Sequence, residues 1–445
     1  MKKKKFDMST TRALTMGFAL IILLGSLLLM LPCASRNGDT RYLDALFTAT
    51  SATCVTGLIV ADTYQHWTLF GQLVILMLIQ IGGLGFMTIG VYISVLLRKK
   101  IGLKERESIH ESVSTLQLAG VVRLVRFIIR GTFIVEAIGA ILLAIRFIPS
   151  RGVAKGIYYG IFHSISAFCN AGFDLMGDKE AFSSFVAFED DIIVNVTIMA
   201  LIIIGGIGFI VWDDVKRNKL HFRKYLLHTK IVVFTTAVLV VGGALLFLVI
   251  ENNATLAGMS MKGKILGAFF SSVTARTAGF NTTDTGALTH AGKLLTMVLM
   301  FIGGSSGSTA GGIKTTTLVV AFCFAIAMIK RTQGSNLFGR RLEEETLKKA
   351  NAVIIINLSL ACIAAFVIFA VQDMDFADVF FEVFSAIGTV GMTTGITRDL
   401  TTVSKLVIIL LMYCGRLGSL SFALTFAQKK IVAPVQQPVE KIVVG

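Results

Sequence analysis

Charge is what this chain has least of. Asp, Glu, Lys and Arg make up 16% of its 445 residues, against 54% hydrophobic ones, and the mean hydropathy is positive. A soluble globular reading is excluded, and the chain is expected to cross a bilayer many times. No segment long and polar enough for a soluble domain lies between the apolar runs. The six cysteines (Cys33, Cys54, Cys169, Cys323, Cys362 and Cys414) include no C-x-x-C pair and no metal-ligand spacing, so they carry no disulfide argument. The six histidines form no H-E-x-x-H, and no Ser/His or paired-Asp arrangement stands out at membrane depth. No enzyme, and no covalently bound cofactor, is expected. A small-residue cleavage site is also missing after the first apolar run (13–32), which is therefore expected to stay as a membrane helix rather than leave as a signal peptide.

The net charge of +15 could suggest nucleic acid, but the basic residues come in blocks between apolar runs. Of 42 Lys and Arg, 25 fall in 2–12, 98–110, 216–230, 330–349 and the C-terminal tail. Positive residues gather on the cytoplasmic side of membrane proteins, so both termini are placed in the cytoplasm of a multi-pass protein of the cell membrane. The blocks report orientation and attraction to the lipid bilayer rather than nucleic-acid binding.

What the chain has in quantity is repetition. One short apolar motif ending in glycine occurs four times, at 51–58 (SATCVTGL), 166–173 (SAFCNAGF), 273–280 (VTARTAGF) and 385–392 (SAIGTVGM). The glycines Gly57, Gly172, Gly279 and Gly391 are 115, 107 and 112 residues apart, and each has a phenylalanine at the same offset before it (Phe47, Phe162, Phe269 and Phe381). A unit repeated at a fixed period is one structural element used four times. In each unit a long apolar helix candidate precedes a stretch of about ten apolar residues, too short to span a bilayer. The glycine motif follows, and then a second long helix.

The expected fold is therefore all-α and polytopic: four membrane helix, pore helix, filter loop, membrane helix repeats in pseudo-fourfold arrangement. Repeat one occupies 13–97 with its first helix closed by Pro32, repeat two 120–212 with Pro149 closing its first helix, repeat three 229–329, and repeat four 350–427. Residues 1–12 and 428–445 are the cytoplasmic ends. The short helices are expected to end near Thr50, Ile165, Ser272 and Phe384.

Backbone carbonyls aimed at a common axis can replace an ion's hydration shell, and non-helical backbone at membrane depth persists only when buried in protein or lining a wet cavity. Glycine allows the positive φ that such a loop demands. The candidate filter is Cys54, Val55, Thr56 and Gly57; Cys169, Asn170, Ala171 and Gly172; Arg276, Thr277, Ala278 and Gly279; and Gly388, Thr389, Val390 and Gly391. Helix C-terminal dipoles aimed at the same point favour a cation. Asp44, Asp174, Asp284, Asp378 and Glu382 are candidates for an attracting vestibule, ordinary solvated loop charge being the alternative. Arg276 would repel an ion on the axis, so it is expected behind the loop, against an acid such as Glu382.

Each second helix carries a glycine cluster: 81–86, 204–209, 302–317 and 414–419. The third is expected to break its helix. A candidate gate is built from Gly303, Gly304, Ser305, Ser306, Gly307, Ser308, Thr309, Ala310, Gly311, Gly312, Ile313 and Lys314, with Arg416 facing the pore as an electrostatic barrier or latch. Gly307 and Gly312 have the spacing of a phosphate-binding loop, but Ile313 intrudes before Lys314 and no strand precedes them. Glu136 is placed only as interior-facing.

These four loops in register, the broken third-repeat helix and Arg416 together resemble the Trk/Ktr/HKT superfamily of potassium transporters, over about residues 13–427. The short segment before the first repeat resembles the Ktr branch, whose membrane subunit belongs to a Ktr potassium uptake system. The resemblance implies a homodimer with one pore per subunit, K⁺ held by the filter carbonyls, gating by 303–314 with Arg416, and a cytoplasmic RCK/KTN-type regulatory ring that alone carries a nucleotide (ATP/ADP or NAD). The alternative function is a Na⁺- or H⁺-coupled secondary transporter, which the almost uncharged axis loops make the weaker reading.

Overall fold

Each of the four units begins with a helix whose outer face is left uncovered by the other described residues of the chain. In the computed structural model, which describes residues 10–85, 88–90, 121–219, 221–332, 335–419, 422 and 440, these are α1 (Thr10–Leu29), α5 (Val121–Arg151), α9 (Leu227–Glu251) and α13 (Glu344–Val371). All four are long and apolar enough to cross a membrane. Their exposed residues are large and apolar, among them Leu20 and Leu27, Ile138 and Ile145, Phe234 and Leu245, and Ile363 and Phe366. Such a surface is stable only in contact with lipid. Pro149 lies inside the last turn of α5 rather than closing it, and α1 stops at Leu29, ahead of Pro32.

The second element of each unit is a half-length helix: α2 (Tyr42–Cys54), α6 (Val153–Phe168), α10 (Met261–Thr274) and α14 (Phe376–Gly388). Each runs two to four residues beyond its expected end, so Cys54 and Gly388 lie in last helical turns and the loops are shorter than the sequence suggests. The matched phenylalanines Phe47, Phe162 and Phe381 are completely buried.

The third element is an inner helix: α4 (Leu69–Leu84) after the one-turn α3 (Thr63–His66); α7 (Ile192–Gly206) with α8 (Phe209–Asn218); α11 (His290–Phe301) with α12 (Thr315–Ile329); and α15 (Thr402–Leu417). All four start on a side-chain cap, because Thr68, Asp191, Thr289 and Thr401 each accept from the backbone N–H three residues on. They also all break, and not only the third. Gly85, Gly208 and Gly418 have φ of 78°, 94° and 85°, and α8 turns 94° from α7. The signal is a G-x-x-G at 82–85, 205–208 and 415–418. The expected helix ends at 97 and 427, the connector 98–110 and nearly all of the tail lie outside the described residues. A two-residue hairpin, β1 (Asn336–Leu337) with β2 (Arg340–Arg341), joins α12 to α13.

Candidate functional site: a ring of four glycines

The four motif glycines meet. A Cβ placed on Gly57 would lie 2.5 Å from the carbonyl oxygen of Ala171 and 3.1 Å from the Cα of Gly172. One on Gly172 would lie 2.6 Å from the Ala278 oxygen and 3.0 Å from the Gly279 Cα. One on Gly279 would lie 2.5 Å from the Val390 oxygen and 3.2 Å from the Gly391 Cα. One on Gly391 would run into the Thr56 oxygen, with the Gly57 Cα at 2.8 Å. Each glycine thus touches the next repeat's loop and the fourth touches the first, which closes a ring with no room for a side chain.

Glycine accounts for only part of the backbone. The ring glycines have φ of 93°, 72°, 84° and 91°, and two residues before each stands a second left-handed residue: Val55 (57°), Asn170 (59°), Thr277 (71°) and Thr389 (50°). Thr56, Ala171, Ala278 and Val390 between them do not share that conformation. The alternation turns successive peptide planes toward one side, as a ladder of carbonyls requires. Three of the four second residues are β-branched, for which this region is strained by roughly 1–3 kcal/mol each. Hydrogen bonds back onto the short helices hold them: Thr56 N–H to the Ser51 carbonyl, Ala171 to Ser166 and Val390 to Ser385, each at 2.8 Å. Serine hydroxyls complete the clasp, Ser51 and Ser385 accepting from the N–H of Gly57 and Gly391 at 3.0 and 3.1 Å, and Ser166 donating to the Phe173 carbonyl at 2.7 Å. In the third loop Val273 occupies the serine position, and Thr274 donates to the Phe280 carbonyl instead at 2.6 Å.

The inner helices brace the ring from outside. A Cβ on Gly82, Gly205 or Gly415 would overlap the carbonyl of Thr53, Phe168 or Ile387 respectively, the same position in three repeats. The residue three before each ring glycine varies. Cys54 and Cys169 are buried, and Cys169 donates through Sγ to Gln80 Oε1 at 3.7 Å. Gln80 in turn donates to both carboxylate oxygens of buried Glu136, at 3.1 and 3.3 Å, which gives Glu136 its partner. Arg276 does point behind its loop, but not to Glu382. Its guanidinium donates to Thr236 Oγ1 on α9 at 3.3 Å, while Glu382 accepts from the hydroxyls of Thr393 and Thr397.

Residues 303–314 form the expected break and lie against the ring. Ser305 N–H donates to the Gly206 carbonyl at 2.9 Å, Thr309 N–H to the Gly205 carbonyl at 3.3 Å, and Phe209 N–H to the Gly307 carbonyl at 2.8 Å. Gly307 and Gly312 are left-handed, and Gly311 sits so close to the Thr389 side chain that no Cβ fits. Lys314 Nζ folds back to the Ala310 and Gly311 carbonyls at 2.7 and 3.3 Å. Arg416 donates to the Thr309 carbonyl of this segment and to the carbonyls of Gly82 and Gly83 on α4, the latter at 3.1 Å. Among the hydrogen bonds of the described residues, it joins repeats one, three and four at one point.

The acids expected to form a vestibule are mostly engaged. Asp44 pairs with Lys405 and Asp378 with Lys293, at 2.8 and 2.7 Å, each linking a short helix to the preceding repeat's inner helix in the ring order. Asp284 caps the turn at Gly286. Half-buried Asp174, two residues past Gly172, accepts from Met176 N–H at 2.9 Å, and burial pushes its carboxyl up to about 7, against that hydrogen bond and with nearby Asp62 adding to the rise.

Comparison with known proteins agrees with this geometry. A potassium/sodium uptake protein, NtpJ of Enterococcus hirae, is 42% identical over 452 residues, covering 100% of this chain and 99% of the relative. The Ktr system potassium uptake protein B of Bacillus subtilis is 41% identical over 94% of this chain and 93% of its own length, and that of Vibrio alginolyticus 36% identical over 100% and 97%. The crystal structure of the potassium transporter TrkH from Vibrio parahaemolyticus superimposes with a TM-score of 0.74 at 19% identity, covering 96% of this chain and 87% of that one, and so shares the fold. The family model described as TrkH, cation transport protein, matches residues 4–433. With four repeats closing on one glycine ring inside a lipid-facing bundle, this multi-pass membrane chain belongs to the TrkH family of cation transport proteins.

Proposed function

We propose that the chain is the pore-forming subunit of a Ktr-type potassium uptake system, with K⁺ passing through the glycine ring. The observation that carries this is the closed ring itself: four loops of alternating left-handed backbone whose glycines leave no room for a side chain, held from behind by short helices and, in three repeats, by inner-helix glycines. A site of carbonyls has no group to titrate and no fixed charge to alternate between sides, which supports a channel-like path over coupling to Na⁺ or H⁺. The names of the two Ktr relatives support potassium as the ion, and that of the Enterococcus hirae relative gives both potassium and sodium. In this reading residues 303–314 with Arg416 are the gate, both termini face the cytoplasm, the protein works as a homodimer, and a cytoplasmic regulatory ring moves the gate.

The test is K⁺ against Na⁺ flux into proteoliposomes for the wild type and Gly57→Ser. Serine at φ 93° carries about 1–2 kcal/mol of left-handed strain and must displace the Ala171 carbonyl, so the K⁺/Na⁺ ratio is expected to fall roughly tenfold. Equal fluxes of both ions in the wild type, unchanged by the substitution, would place the ion path elsewhere.

A further inference from the structure

Asn170 differs from its three counterparts. Val55, Thr277 and Thr389 hold the same left-handed position without any side-chain amide, whereas the completely buried amide of Asn170 bridges two other parts of the site. Its Oδ1 accepts from the Thr309 hydroxyl at 3.1 Å, and its Nδ2 donates to the Thr277 hydroxyl at 3.4 Å. A Cβ on Gly205 would fall 3.0 Å from that Oδ1 and one on Gly206 3.6 Å from the Nδ2, so the inner-helix glycines leave the amide its space.

Thr309 is the matching junction on the 303–314 segment. Its N–H donates to Gly205, its carbonyl accepts from Arg416, and its hydroxyl oxygen lies 3.1 Å from both the Phe168 carbonyl at the end of α6 and Asn170 Oδ1, which share its one proton. One threonine is therefore tied at once to the inner helix, to the fourth-repeat arginine and to the second glycine loop. If the segment shifts, the amide of Asn170 loses its donor, and the contact with the third loop through Thr277 loses its anchor.

We propose that the Asn170 amide couples the position of the 303–314 segment to the shape of the second and third glycine loops, so that the loop which opens the pore also sets how strictly the ring selects its ion. The proposal rests on the reading of the ring as a filter and of the segment as a gate. Coupling is reciprocal: a hydrogen bond made only with the segment in its present position both holds the segment there and holds the ring in shape. Asn170 and Thr309 are positioning residues in this scheme, acting through the backbone of the loops.

The experiment is the K⁺ and Na⁺ flux of full-length protein in proteoliposomes for Thr309→Val, Thr309→Ser, Asn170→Gly, the double variant Asn170→Gly/Thr309→Val, and Gly57→Ser. Valine keeps the shape of Thr309 and removes its hydroxyl; glycine keeps the left-handed backbone of position 170 and removes its amide. Either change alone is expected to raise total flux while lowering the K⁺/Na⁺ ratio about 2- to 10-fold, the factor of one net hydrogen bond. The double variant is expected to match the single ones, and Thr309→Ser to recover the ratio. A Thr309→Val protein with raised flux and an unchanged ratio would overturn the coupling, as would single effects that multiply in the double variant. If Gly57→Ser also leaves the ratio unchanged, the filter reading fails and the coupling with it; if Gly57→Ser lowers the ratio and Thr309→Val does not, only the coupling fails.

Discussion

Val55, Thr277 and Thr389 are residues that local preference would keep out of left-handed backbone, yet each adopts it at one matched position of the ring. The strain is held by contacts on several sides: the clasp from the short helix, the neighbouring glycine loop and, behind Val55 and Thr389, the inner-helix glycine. A reading of residues one at a time finds the glycine of each loop and misses its partner two places earlier, because nothing in a valine or threonine announces a positive φ. The wrong partner expected for Arg276 has the same origin. Its partner Thr236 is an uncharged residue on another helix, whereas charge alone directs the search to an acid. A different residue-scale consequence concerns Asp174. Its carboxyl titrates near 7 in the folded chain and near 3.8 unfolded, so between about pH 4 and 7 the native state holds a proton the unfolded state has lost. Stability is then expected to fall as pH rises through that window, and Asp174→Asn to flatten this dependence in thermal unfolding of the detergent-solubilised protein.

The elements show how little of a helix boundary is decided by apolarity. The inner helices read as continuous apolar runs, and the break in the third is legible because so many small residues follow one another there. The breaks in the others come from single glycines three places after a glycine that touches the ring, and the G-x-x-G spacing is visible in the sequence once its two jobs are known: a close approach at Gly82, Gly205 and Gly415, and a left-handed turn at Gly85, Gly208 and Gly418. Gly82→Ala is expected to cost about 1–3 kcal/mol, since its methyl group would enter the Thr53 carbonyl and the short helix must back away from the axis. A fall in the thermal midpoint with a lower K⁺/Na⁺ ratio checks it; an unshifted midpoint would mean that α2 is not braced there. By contrast the starts of these helices, at Thr68, Asp191, Thr289 and Thr401, are readable from residue type alone, because an N-cap acts on its own chain within three residues.

At the scale of the molecule, a ring of four units made from one chain has one seam where the last repeat meets the first. Polar side chains that cross it among the described residues include Lys405 with Asp44, the Tyr413 hydroxyl with the Thr15 carbonyl, and Arg416 with the carbonyls of Gly82 and Gly83. The Lys405 pair retains 15% and 27% side-chain exposure, so Lys405→Met is expected to cost only about 1 kcal/mol. A double-mutant cycle with Asp44→Asn on the thermal midpoint measures that coupling, which should shrink with added salt. Zero coupling at low salt would mean that the seam is closed by Tyr413, Arg416 and the ring itself. The sequence alone determined the number of units, the membrane setting and the four ring glycines, because hydrophobic length and repetition are written along one period of the chain. Only the tertiary structure decided which backbone positions are strained, where Arg276, Arg416 and Glu136 find their partners, and how Asn170 meets Thr309, because each depends on groups brought together from distant repeats by closure of the ring.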